Sequence, residues 1–554
     1  MKTKIFLGCL LAVSLGASSC SDFLTEDPKG QLTPDNYFIS QDALDASVYA
    51  LYEKVQQTQI YTNMLYPQWQ GDDITANPGS NKQACAELDV FSATSNNKGV
   101  RDAWNMNYNM IKAANLILAN AGTTPVSQAE VDIALGQAHF WRAYGYYYLV
   151  RIFGPLPKIT SADVTAVDVQ LSPVEDIYQL IVEDLTAAEA MLPTGYSTAP
   201  RQVNGTDNYV TRQAVQATLA AVYMSMAGYP LNKGAEYYGK AAAKAKEVIE
   251  KASQYGFYLE DDWSHVYSMG HNYNKATVLG INNSLMNGSW NHDSEFTSCC
   301  RFEGLGDGGW GDAWGEIAFW KRYPEGPRKD AVYAPKVTFE DAGGNIVKVV
   351  DWWELDANGE KVVAAYHPMF CTFTTNCDES GKELAQPYNY LQRNYRGMTN
   401  GHRARCIRYS EVLLWYAESA ARSGGDLTAA KDCLRQVRRR AVTDWEQVTL
   451  SDGTTVSIDA MNAAQLAEAC YIEHGWEVAG YWVAMVTRRS DEFRMNRLKE
   501  NFDYRVANQP ITIVPGITAK ESVSVVKSTW AGDNSIYIPY PDTEVEKNPN
   551  LVRK

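Results

Sequence analysis

Apolar residues recur along most of this chain at the three-to-four-residue spacing of a helix face. Trp104, Tyr108, Ile111 and Asn115 lie at i, i+4, i+7 and i+11, on one side of a helix. An earlier helix opens at Ser40-Gln41-Asp42 and runs to about Gln57. Ser127 and Glu130 have capping-box spacing and predict a long aromatic helix that stops at Gly154-Pro155. Another helix starts at Ser172, with Pro173 in its first turn. Thr211–Ala227 and Gly234–Ala252 read as a helix pair, and Ile407–Ser423 with Leu427–Ala441 as a second, joined by Gly424-Gly425. Each pair has about the 34-residue size of a tetratricopeptide unit, with small residues where helices approach.

Residues 256–405 break this pattern. Gly, Asn, Asp, Trp and Tyr replace the Ala-rich helices, and residues 304–314 read as a Gly-rich loop. Ile346–Glu354 and Lys361–Tyr366 flank Asp356-Ala357-Asn358-Gly359, a hairpin signal. The tail from Ser522 reads as strand-like and then extended. The pattern predicts a mostly α fold: helix pairs in residues 41–255, and helix pairs with an extended tail in residues 406–554, form a scaffold, although the tetratricopeptide consensus itself is absent. The loop-rich insert of residues 256–405 carries a few short strands, and such loops on a rigid frame are where binding usually sits.

The first residues have a different job. Lys2 and Lys4 precede an eleven-residue apolar run, Ile5–Leu15, which is the size of a signal-peptide core and too short to span a bilayer. Small residues follow, then Cys20. Residues 1–19 thus resemble a lipoprotein signal peptide, although Ala17 stands where a Leu is usual. Cys20 would carry the lipid, and residues 20–40 form a polar tether and lead-in segment. The implied place is an outer surface, lipid-anchored to a membrane. Ten Cys occur; their spacing matches no zinc cluster, and Cys371 and Cys377 are close enough to pair across a loop.

Charge and composition narrow the chemistry. In 554 residues there are 50 Lys and Arg against 65 Asp and Glu, a formal net charge of −15. Nucleic acid is therefore excluded as an expected partner, since phosphate neutralisation needs a basic face. The excess lies in rings: 15 Trp and 34 Tyr. Rings at this density suit a packed helical core or a surface that stacks on sugars. A pyranose offers C–H bonds on one face and hydroxyls at its edge, so an aromatic ring plus Asp, Asn or Arg recognises it.

Trp69, followed by Gln70-Gly71-Asp72-Asp73, combines a stacking ring with hydroxyl acceptors. Trp290, Trp310 and Trp314 lie among polar or Gly-rich residues where a large ring lacks helical partners. The stripe Trp141, Tyr144, Tyr147 and Tyr148 reads as core, and Trp415, Tyr416, Trp476 and Trp482 read as packing. No G-x-S-x-G, H-E-x-x-H or phosphate-binding P-loop occurs, and the seven His lack ligand spacing. No cofactor and no metal are expected.

Five stretches in order resemble the SusD/RagB family of outer-membrane nutrient-binding lipoproteins. They are Cys20–Pro28; the Trp104, Tyr108, Ile111, Asn115 face; Phe140-Trp141-Arg142-Ala143 through Phe153–Pro157; Arg408–Leu414 with Leu434–Arg438; and Ile538–Pro541 with Asn548–Leu551. Gln137 departs from a usual Glu. His474, Tyr481 and Trp482 replace residues normally Arg, Glu and Gly. The resemblance implies four tetratricopeptide-like helix pairs with ligand-holding loops and no catalytic activity. It also implies binding of an oligosaccharide or polysaccharide, or in some branches a peptide, and delivery to a SusC-like TonB-dependent transporter. It adds Trp104 and Asn107 as ligand contacts, because that helix supplies them in parts of the family. A surface glycoside hydrolase is the enzymatic alternative, which would need two carboxylates across a cleft.

Overall fold

The computed structural model describes residues 37–60, 62–162, 168–283, 311–334, 336–340, 346–373, 401–521 and 536–553. Helices dominate. The six longer helices before residue 250 are α1 (Gln41–Ile60), α2 (Lys98–Asn120), α3 (Gln128–Phe153), α4 (Val174–Met191), α5 (Arg212–Ala227) and α6 (Ala235–Ile249). Then come α7 (Ile317–Arg322), α8 (Tyr409–Ser423), α9 (Leu427–Arg439), α10 (Ala463–Val478), α11 (Arg488–Arg494) and α12 (Leu498–Ala507). Each of α2 to α5 packs against the next, α6 packs against α8, and α8 packs against α9 and α10. The insert therefore leaves after α6 and returns before α8 without interrupting the stack. No described helix is long and apolar enough to cross a membrane.

Local chemistry explains the helix ends. The Asn97 side chain accepts from the Gly99 and Val100 N–H groups, and Asp426 does the same for Thr428 and Ala429. Ser127 caps α3 by accepting from Glu130 N–H, but the expected capping box is only half made. The Glu130 carboxylate turns away to Arg201 and Gln41, a stronger charge-assisted partnership than the N-cap amide. Pro173 is the N-cap of α4 rather than part of its first turn.

At its far end α3 stops at Gly154, whose φ of +75° an L side chain rarely adopts, and a Cβ there would sit 3.0 Å from the Tyr537 ring. The C-terminal segment closes over this exit. Ile538 N–H donates to Ile152 O (3.0 Å) and the Tyr540 hydroxyl to Pro155 O (2.6 Å). Beyond Tyr540 the tail is not wholly extended, because Asp542–Lys547 forms a helical turn.

The core expectation for α3 holds. Trp141, Tyr144, Tyr147 and Tyr148 are buried; the Tyr148 hydroxyl donates to Met64 O (2.6 Å), and that of Tyr147 pairs with Ser225 (2.7 Å). Gln137 accepts from the Tyr52 hydroxyl (2.6 Å) and donates to Val210 O (2.9 Å). A neutral amide thus serves there as both donor and acceptor, which a carboxylate could not do.

The strands are short and antiparallel, and those of three residues or more before residue 500 are β1 (Ile74–Ala76), β2 (Thr277–Ile281), β3 (Ala313–Gly315), β4 (Val337–Glu340), β5 (Ile346–Val350), β6 (Ala404–Arg408), β7 (Gln447–Thr449) and β8 (Thr455–Ser457). Among the described residues every sheet has two strands, with β1 paired to β3, β2 to β6, β4 to β5 and β7 to β8. Two expectations are corrected here. Residues 346–350 pair with β4 rather than with residues 361–366; the Asp356–Gly359 turn forms, but joins only an isolated Leu355–Lys361 bridge. Ile407 lies in strand β6, so the helix predicted from it begins at Tyr409. Cys85, Cys406, Cys433 and Cys470 are buried thiols. Cys377, the expected partner of Cys371, lies outside the described residues, as does the tail segment 522–535.

Candidate ligand-binding surface

The segment Thr62–Gln70 is a 3₁₀ helix that carries Trp69 inward rather than to the surface. Its ring is fully buried, 4.6 Å from Tyr66 and 5.3 Å from Trp482 by centroid. It offers no face to a sugar, because both neighbours belong to the core. Trp314, on β3, is 7% exposed and stacks on His367 at 5.0 Å. Asn107 is 1% exposed and donates to Ala103 O within its own helix (2.7 Å). These three expected contacts are packing residues in this structure.

Trp104 is likewise packed, against Tyr108 (4.7 Å), Phe153 (5.1 Å) and Tyr540 (5.7 Å). It still borders a hollow of about 500 Å³ that also touches Tyr108, Asn109 and Asn548. Trp290, Trp310 and Cys20 lie outside the described residues. Around them only the roots are placed: Asn77 N–H donates to Asp312 O (2.9 Å), and Asn283 Nδ2 donates to His402 O (2.8 Å).

Asp72 and Asp73 are also buried, and both point at distant backbone and guanidinium groups. Asp72 accepts Arg488 through Nε (2.7 Å) and Nη2 (3.2 Å), and lies 3.4 Å from Arg322 Nη2. Burial opposes its charge, yet the Arg488 guanidinium outweighs burial and holds the carboxyl well below its usual range. Asp73 accepts Gly480 N–H (2.8 Å). Burial dominates there and pushes its pKa up to about 6. Neither acid reaches solvent as a hydroxyl acceptor; Asp72 instead aims two arginines.

Those arginines lead to an open groove of about 730 Å³ between α7, α10, α12 and the β7–β8 hairpin. Phe319, Tyr471 and the half-buried Trp476 form apolar walls, with Trp476 4.4 Å from Phe319. Tyr504, 40% exposed, stands at the rim beneath Arg322, whose Cζ is 4.5 Å from the ring centroid. Arg488 and Arg497 each lie 4.9 Å from the Tyr471 ring, and the buried Tyr471 hydroxyl has no hydrogen-bond partner. Glu500, Asp503 and Asn508 complete the polar edge. The α12 pattern explains the arrangement: Leu498, Phe502 and Arg505 are buried, which turns Glu500, Asp503 and Tyr504 outward. Sequence reading took Trp476 as packing and passed over Tyr504. An aromatic ring among acids on the polar side of a short helix was the available signal.

This arrangement offers aromatic faces flanked by donors and acceptors. Among the described residues no group of His, Cys, Asp and Glu could hold a metal ion.

Residues 22–224 match a family described as "Starch-binding associating with outer membrane", and residues 382–554 match the "SusD family". A SusD-like protein, P2, of Formosa agariphila is 28% identical over 272 residues, covering 48% of this chain. The chain spans about half (50%) of that relative's length. A solved SusD homolog from Bacteroides thetaiotaomicron superposes with a TM-score of 0.72 at 17% identity, covering 93% of this chain and 97% of that one. A structure solved with a xylogluco-oligosaccharide has a TM-score of 0.66 at 18% identity, covering 92% and 98%. Matched by family in both halves and alike in fold nearly end to end, the chain belongs to the SusD/RagB family.

Proposed function

We propose that this protein is a non-catalytic, lipid-anchored, cell-surface glycan-binding protein. It captures an oligosaccharide or polysaccharide and passes it to a TonB-dependent, SusC-like outer-membrane transporter. Family membership supports the reading, as does the xylogluco-oligosaccharide in a structural neighbour. The observation on this chain that carries it is the groove bordered by Trp476, Tyr504 and Tyr471 and edged by Arg322, Asp503 and Asn508. Rings of that kind cover the C–H face of a pyranose while the edge groups meet its hydroxyls.

Calorimetry against xyloglucan, maltose-series and host-type oligosaccharides tests the reading. At least one is expected to bind without being cleaved. Tyr504→Ala is expected to weaken that binding about two- to twelvefold, the worth of one aromatic contact at ~0.5–1.5 kcal/mol. Binding of peptides and no glycan would move the ligand class. Turnover of a bound glycan, abolished by one carboxylate substitution, would sink the non-catalytic reading.

A further inference from the structure

A second cavity, of about 280 Å³, opens between residues 194–213, Tyr255–Phe257, the start of β2 and Arg403. Arg403 is 2% exposed, and its guanidinium lies flat against Gly280, where a Cβ would come within 2.5 Å of Nε. Only a glycine leaves room for it. Nη2 donates to Asp207 O (3.0 Å), but Nε and Nη1 are buried without a hydrogen-bond partner. Gln213, 2% exposed, borders the same cavity. Its Nε2 donates to Thr194 O (2.6 Å), which fixes the amide orientation and leaves Oε1 a buried acceptor without a partner. The half-buried Lys275 supplies a second cation, while Asp207 is the one acid in the lining and already accepts Tyr196 N–H (2.8 Å). The rings of Tyr255 and Phe257, both half-buried, meet edge to face at 5.9 Å.

Unsatisfied buried donors and acceptors are costly, and each calls for a partner. Here the donors are cationic and the acceptor is neutral, so the complement carries both an anionic oxygen and a hydroxyl. We infer that this cavity is a subsite for an acidic sugar. Arg403 and Lys275 receive its carboxylate, a ring hydroxyl donates to Gln213 Oε1, and Phe257 or Tyr255 covers its C–H face. At the small end of the ~300–1,000 Å³ typical of ligand sites, it takes one sugar unit rather than a chain. The choice of a sugar rests on the glycan reading above; the anion does not.

Calorimetry on the full chain with glucuronate, glucose, acetate and sulfate tests the inference. Glucuronate is expected to bind, glucose not, and acetate and sulfate more weakly. Lys275→Met is expected to weaken glucuronate about tenfold, as for the loss of one charge-assisted hydrogen bond. Gln254→Trp, at an exposed edge of the cavity, is expected to block it. Unchanged affinity in both variants, acetate or sulfate binding as tightly as glucuronate, or no glucuronate binding would each overturn it. In the last case, retained binding of a neutral oligosaccharide leaves the glycan reading standing, whereas its loss as well removes both.

Discussion

Asp72 and Asp73 are adjacent, alike in chemistry and equally buried, yet they differ in proton affinity. Asp72 faces a guanidinium; Asp73 faces one backbone N–H, which is not enough to offset burial. The sign for Asp73 follows. Its folded pKa, about 6, lies above the ordinary 3.8, so its contribution to stability is full below pH 4. That contribution is lost as the pH rises through 6, by roughly 3 kcal/mol in all. Asp73→Asn keeps an acceptor for Gly480 without the charge. Urea denaturation is expected to show a flatter stability profile between pH 4 and 7, with the variant at least as stable as the parent at pH 7. The polar character of this turn was legible in the sequence. Its partners were not, because Arg488 lies 416 residues away from Asp72.

Elements were legible wherever one face is apolar. α2 forms on the expected Trp104, Tyr108, Ile111 and Asn115 face, and α3, α5 and α8 fall within a few residues of their expected bounds. Strand pairing was less so, since a turn such as Asp356–Gly359 does not choose its partners. Burial of Val337, Val350 and Trp352 in one cluster did. α10 shows what the periodicity hides: it carries Glu473 and Glu477 into the interior, both fully buried. Arg328 Nη1 reaches both, at 2.7 and 2.8 Å, while Arg408 and Arg440 meet Glu477 at 3.1 and 2.6 Å. Burial opposes the charge on Glu477, but Arg440, Arg408 and Arg328 outweigh it and hold the carboxyl far below its usual range. Arg328→Met leaves two buried carboxylates short of a cation. It is expected to destabilise the fold by about 3–5 kcal/mol, read from the urea midpoint. The replacements His474, Tyr481 and Trp482 have found partners of their own in Asp491, Arg405 N–H and Trp69.

Across the whole molecule, the ring excess divides unevenly. Most of the tryptophans placed by the structure are cement, including Trp69 and Trp314, which a sequence reading put at the ligand. A ring beside Asp and Gly looks like a binding motif until the fold shows what lies behind it. The anchor is a question at this scale too. Cys20→Ala is expected to move the protein from the membrane pellet to the soluble fraction on cell fractionation; retention in the pellet would contradict lipidation at Cys20.

The Asp72–Arg488 contact has a further consequence, for assembly. Asp73 with Gly480, Asp89 with Arg505 and Ile152 with Ile538 likewise tie early to late segments. The groove at Tyr504 is therefore a joint product of both ends of the polypeptide, and high separation of this kind makes folding slow. While the chain is still emerging, α2 to α6 can stack, yet Asp72 has no Arg488 to aim, and the walls that α10 and α12 supply are missing, until the final helices arrive. The groove is thus completed late in synthesis, after most of the scaffold has been made.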